Sequence, residues 1–249
     1  MTDQACIFCG GPPPLTKEHI FSDWMKPILA KDPRSAFGIE EYAGQVTEQG
    51  VTDKRTRRVR SPTELQVRCV CGNCNHGWMN DIETSAKTFM ESMLLGQRTE
   101  LPPEGQQAIS TWACLKTIVG QTLQKGRKIA PSDWRRYLFE HHAPPTEWFV
   151  GITSYEGQTH AHFESRSYPL VHARSGSANP TIAGEGIHAS FLIGYLAIKV
   201  FGLRGDGLNY PGADLLLEIW PPSPLILLWP PPIRVDDDAI EEFLRFRRE

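Results

Sequence analysis

At 249 residues, 40% hydrophobic and 22% charged, the chain has the composition of a folded globular protein and enough apolar sequence to bury a core. A formal net charge of −3 excludes a global electrostatic pull towards nucleic acid or anionic lipid, so any such attraction has to be local. The longest apolar stretch, FLIGYLAI at 191–198, is far short of the ~18 residues that span a bilayer, and the opening MTDQACIFCGGP has neither the basic start nor the apolar run of a signal peptide. No membrane partner is therefore expected, and the chain reads as cytoplasmic.

Paired cysteines in a reducing compartment point to metal before disulfide. The first pair is Cys6-x2-Cys9, followed by Gly10–Gly11, which suits a tight knuckle; the second is Cys71-x2-Cys74, just ahead of a helical pattern. Four thiolates in two such pairs make a closed tetrahedral zinc site. Bridging the 61 residues between Cys9 and Cys71 costs roughly 4 kcal/mol of chain entropy. A structural zinc returns on the order of 10 kcal/mol, so the metal outweighs the loop. Cys69, in RCVCGNC, is an alternative to Cys71, but the two-residue spacing favours 71 with 74. Cys114 lies in an apolar helical face and reads as core.

Between the pairs sits KEHIFSDWM, with Glu18 next to His19, and Asn75 follows Cys74 directly. If one ion joins the pairs, a carboxylate, an imidazole and a carboxamide come close. Such a group suits a hard divalent cation beside a base that is largely neutral near pH 7. Against this, neighbouring residues of a strand point to opposite faces, so Glu18 and His19 converge only at a twisted strand end.

The arm leading to the second pair carries DKRTRRVR, with Lys54, Arg55, Arg57, Arg58 and Arg60. Six cations against two acids over residues 51–68 give a local +4 that the total of −3 conceals, the remainder summing to −7. A hairpin there would hold phosphates without reading bases; a solvated strand face explains the run equally well.

Beyond the cysteines, NHGWMNDIETSAKTFMESMLLG turns helical, with Trp78, Ile82, Ala86, Phe89 and Met93 at three- and four-residue steps. LPPEG breaks it, and a second helix is expected over roughly 104–125, stepping through Ile109, Ala113, Lys116 or Thr117, and Gly120. APSDWRRYLFEHH reads as a third, with Ser132 as its N-cap. Strands follow in EWFVGIT, THAHFES, SYPLVHA, SFLIGYLAIKVFG, DLLLEIW and LILLW, and the two WPP motifs should end edge strands. His160 and His162 in HAH have no partner motif and read as surface. DDDAIEEFLRFRR reads as a closing helix. The tryptophans at 24, 78, 112, 134 and 148 read as core.

The expected architecture is α+β. It comprises a zinc-clamped module over 1–85 and a helix-plus-antiparallel-sheet domain over 86–249, with helices to about 142, strands over about 147–230 and a helix at about 236–248.

The order CIFC, EHI, CGNCN resembles the HNH endonucleases, and among them the branch whose ββα-metal, treble-clef-like motif is built on a four-cysteine zinc. The resemblance covers residues 5–83. It implies metal-dependent hydrolysis of phosphodiesters, with DNA as partner, His19 as general base, and Glu18 and Asn75 as ligands of a catalytic Mg²⁺ or Mn²⁺. His76 is an alternative to Asn75 as ligand. Cys6, Cys9, Cys71 and Cys74 are structural in this reading. Most members carry Asp where this chain has Glu18, and Gln66 stands roughly where the middle Asn belongs, from which it would orient the imidazole. The rival reading is a non-catalytic zinc module that binds nucleic acid or protein. In either reading, residues 86–249 offer a surface for a protein partner or a second copy.

Overall fold

The computed structural model describes residues 5–32, 34, 39–43, 46–47, 50–51, 55–59, 64–123, 129–172, 181–204 and 216–239. The knuckle at Cys6–Gly11 is closed by Cys6 N–H to Gly11 O (2.8 Å) and Gly10 N–H to Cys6 O (3.0 Å). Gly10 turns at φ +70°, a left-handed conformation that favours glycine. Strand β1 (Leu15–His19) follows, then a 3₁₀ turn at Asp23–Met25 and the short helix α1 (Lys26–Leu29). The arm contributes β2 (Ile39–Ala43), β3 (Val46–Thr47), β4 (Gly50–Val51) and β5 (Arg55–Val59), with β2 antiparallel to β5 and β3 to β4.

Strand β6 (Gln66–Cys71) returns antiparallel to β1, pairing Leu15 with Cys71 and His19 with Gln66, with an irregularity between Thr16 and Lys17. The chain then coils through α2 (Gly72–Cys74), a wide turn at Asn75–Met79 kinked at Gly77, and α3 (Asn80–Leu94). Since α3 crosses residue 85, the expected domain boundary falls inside a helix. The core does not divide there either: one cluster of buried residues runs from Cys6 to Trp229.

After β7 (Thr99–Leu101), helix α4 (Pro103–Gln121) is buried along almost its whole length, and α5 (Ser132–His141) packs beside it. Pro131 is the N-cap of α5, so Ser132 begins the helix instead of capping it. The remaining strands are β8 (Trp148–Tyr155), β9 (Ala161–His172), β10 (Thr181–Ile193), β11 (Leu196–Arg204), β12 (Leu217–Trp220), β13 (Leu227–Trp229) and β14 (Arg234–Val235). They form an antiparallel sheet in the order β12-β8-β11-β10-β9, with β14 parallel to β8, while β13 pairs with β7.

Three strand expectations change. THAHFES and SYPLVHA belong to the single strand β9. SFLIGYLAIKVFG is a hairpin turning at Gly194 (φ +59°), and β10 extends back to Thr181. Both WPP motifs do follow strand ends, at β12 and β13. The closing helix begins at residues 237–239, and its remainder lies outside the described residues.

The sheet meets α4 through an apolar face that includes Phe191, with the Trp112 and Phe191 rings 5.4 Å apart. Gly120 lets β9 approach closely: a Cβ there would stand 2.1 Å from the Phe163 ring. Trp112, Trp134 and Trp148 are buried and Cys114 is fully buried, as core residues. Among the described residues, no helix is long and apolar enough to cross a membrane.

Candidate metal centre and its neighbouring histidine

The sulfurs of Cys6, Cys9, Cys71 and Cys74 lie within 4.8 Å of one another, and no other metal-ligand cluster occurs among the described residues. The knuckle supplies two of them. The other two straddle the junction where β6 becomes α2, so the strand pairing of β1 with β6 is what brings the pairs together. Gly11 N–H donates to Cys9 Sγ at 3.3 Å, the kind of outer contact that steadies a thiolate ligand. Ile7 N–H bonds to Cys69 O, and the Arg135 guanidinium donates to Ile7 O, fastening the knuckle to β6 and α5. Four thiolates converging in this way fit a structural zinc. Cys69 is outside the cluster: buried towards the core, its thiol is pushed up to about 12, so Cys71 is the better ligand.

His19 ends β1, with its side chain 23% exposed. The next residues, Ile20 and Phe21, are fully buried, and Ser22 accepts a hydrogen bond from Trp112 Nε1 at 3.0 Å, so the backbone beyond the imidazole is anchored to α4. Gln66, its register partner, touches ring atom Nε2, and Asp23 Oδ1 lies 3.3 Å from the same atom. The Gln66 amide nitrogen faces Nε2; a proton on Nε2, given to the Asp23 carboxylate, requires that amide to turn its oxygen to the ring and leaves the lone pair on Nδ1. Burial draws the His19 pKa below the ordinary value, against the opposing pull of Asp23, which favours a neutral ring at neutral pH.

The expected ligands of a catalytic cation are placed otherwise. Glu18 points inward, 4% exposed, and its Oε1 is ion-paired with Lys116 of α4. Lys116, fully buried, also pairs with Glu83 of α3 and donates to the His19 carbonyl at 2.8 Å. Burial pulls the Lys116 pKa down, but the two carboxylates outweigh it and hold the pKa above the ordinary lysine value. Asn75 Nδ2 donates to Thr16 Oγ1 (2.9 Å) and Lys17 O (3.0 Å), which staples the start of the helical run to β1. Glu18 is thus engaged by Lys116, while Asn75 is held through its amide nitrogen and its ligand atom Oδ1 takes no part in these bonds. His76 is exposed on the wide turn and joins no ligand cluster among the described residues. The pairing of Glu18 with Lys116 is the feature that does not fit the Mg²⁺ or Mn²⁺ site the resemblance implies.

In the arm, the backbone register sets Arg57 and Arg58 of β5 across from Glu41 and Glu40 of β2, and Arg55 across from Ala43. The hairpin is therefore present, and Lys54 and Arg60 lie outside the described residues. His160 is buried instead of exposed, with its pKa lowered by that burial, and His162 Nε2 is buried as well. His160 directly precedes β9 and His162 lies on it.

Lys116, Glu83 and Asp23 are the site residues that sequence reasoning missed. A lysine on the core-facing stripe of an apolar helix was the available signal, since a buried ammonium requires carboxylate partners. Asp23 was visible only as the carboxylate four residues beyond His19. Comparison of the chain with protein-family models, curated proteins and solved structures returns no match.

Proposed function

We propose that the chain hydrolyses phosphodiesters as an endonuclease of the HNH type, acting on DNA, with His19 as general base. The observation that carries this reading is the orientation of the imidazole. It sits at the end of a strand that the cysteine cluster pins in place, partly exposed, with the Gln66 amide and Asp23 both at Nε2; with the Nε2 proton held by Asp23, the lone pair falls on Nδ1. In the reaction, Nδ1 takes a proton from water, the water oxygen bonds to phosphorus, the ester bond to the leaving oxygen breaks, and that oxygen takes a proton from solvent water to leave as the alcohol. The imidazolium formed keeps its Nε2–H directed at Asp23, whose charge stabilises it, as the carboxylate does in a Ser–His–Asp triad. Zinc held by Cys6, Cys9, Cys71 and Cys74 is structural and stabilises the hairpin that carries His19. The basic arm is the phosphate-binding element of this proposal.

The capture of Glu18 by Lys116 favours a second reading, a zinc module that binds nucleic acid or protein without cutting. Plasmid nicking decides between them, run on the zinc-loaded full chain with and without added Mg²⁺ or Mn²⁺. Loss of a general base lowers rates by about 10²–10⁴-fold, and His19→Ala should show a loss of that order. Equal cleavage by parent and variant, or none by either under all conditions, would leave the binding module as the function.

A further inference from the structure

We propose that Lys116 is the resident cation of this site: its ammonium takes the carboxylate that the resemblance assigns to a divalent ion, and keeps such an ion off Glu18. Three oxygens converge on Nζ, from Glu18 of β1, Glu83 of α3 and the backbone carbonyl of His19. Two carboxylates and a carbonyl are a hard-oxygen set of the kind that binds Mn²⁺ or Mg²⁺. Here that set is filled by a side chain from a helix 98 residues away in sequence from Glu18. The ammonium is fully buried and in contact with both acids, so an incoming ion would have to displace a paired charge that has no access to water.

The same contacts give Lys116 a positioning role. It holds the His19 carbonyl directly, and through Glu18 it fixes the strand that ends at the imidazole, while Glu83 ties both to α3. The geometry of His19 is thereby set partly by α3 and α4. The inference rests on the arrangement of these oxygens and not on the nuclease reading, so it holds or fails whether or not DNA is cut.

The test is Mn²⁺ binding to the zinc-loaded full chain, read by electron paramagnetic resonance and by paramagnetic broadening of the His19 ring resonances. The parent and Glu18→Gln should titrate identically, with the His19 signals sharp in both. A stoichiometric Mn²⁺ that broadens His19 in the parent and is lost in Glu18→Gln would overturn the proposal. Lys116→Ala, which leaves Glu18, Glu83 and the His19 carbonyl facing a vacated position, should gain a Mn²⁺ site at least about tenfold tighter than any in the parent, because affinity follows the count of charged oxygen ligands. A folded Lys116→Ala with no such gain would also overturn it. Should that variant fail to fold, the comparison of parent with Glu18→Gln decides alone.

Discussion

Removing the Lys116 ammonium is the most informative single perturbation of this protein. Lys116→Met keeps the length and apolar stem of the side chain but leaves Glu18, 4% exposed, and Glu83 facing each other without a counter-ion. Breaking a buried ion pair from one side costs about 3–5 kcal/mol, chiefly because the abandoned charge stays desolvated. That is a large share of the ~5–15 kcal/mol by which domains are stable. Neutralising Glu18 as well removes most of the penalty: the Glu18→Gln, Lys116→Met pair leaves only Glu83, whose side chain is 21% exposed and reaches water. The double variant should therefore recover about 2 kcal/mol or more relative to Lys116→Met alone, a coupling typical of residues in direct contact. Urea unfolding of the zinc-loaded chain at neutral pH, carried through the full double-mutant cycle, measures this. A cost below about 1 kcal/mol for Lys116→Met, with the two changes simply additive, would show that the triad is not the buried electrostatic anchor described here.

Further outcomes follow from other parts of the molecule. Burial holds the pKa of His188, 1% exposed, well below its ordinary value of 6.5, with the charges of Lys199 and Arg166 acting in the same direction. The unfolded chain therefore binds the proton first. The contribution of His188 is complete above about pH 6.5 and is lost as pH falls from there through the lower folded value, at up to about 1.4 kcal/mol per pH unit. The difference in unfolding free energy between the parent and His188→Asn, followed across that range, should show this slope; a flat difference would refute it. Gly120→Ala places a methyl against the Phe163 ring, which already packs on Phe191, and should destabilise the chain by about 1–3 kcal/mol in thermal or urea unfolding. An unchanged or raised midpoint would show that the α4–β9 contact is looser than described. Cys69→Ser should leave zinc stoichiometry intact whereas Cys71→Ser should not, because only the latter sulfur lies in the cluster; metal analysis of the two purified variants distinguishes them.

The parts of this structure that could be read from the chain were those encoded locally. Two cysteine pairs with two-residue spacing announce a tetrahedral site wherever the fold places them, and the periodicity of residues 78–93 announces a helix. The choice of Cys71 over Cys69 also followed from spacing, and a break in the strand register explains it: the irregularity opposite Thr16 and Lys17 skips Cys69, which is buried in the core, while Cys71 ends β6 beside the knuckle. What was not legible depends on partners remote in sequence. Glu18 and His19 are neighbours on a strand and face opposite ways, but which side becomes interior is decided by Lys116, 98 residues on. A cation shared by Glu18 and Asn75 was the expectation from the motif, and it is the pairing of Glu18 with Lys116 that does not fit it. Likewise THAHFES and SYPLVHA look like two strands because the polar residues ESRS, 164–167, interrupt the apolar pattern where they meet. They are one because β10 pairs along nearly the whole length of β9, a long-range constraint absent from local propensity.

The central claim is that one ion, bound by the four cysteines, locks the two stretches of backbone that the β1–β6 pairing brings close and so presents His19 on a fixed hairpin. X-ray absorption at the zinc edge of the purified full chain measures this most directly. The account predicts one zinc per chain with four sulfur neighbours at about 2.3 Å, the first shell being disrupted in Cys71→Ser. A chain that folds and resists chelators without stoichiometric zinc, or a zinc whose first shell is nitrogen and oxygen, would contradict it.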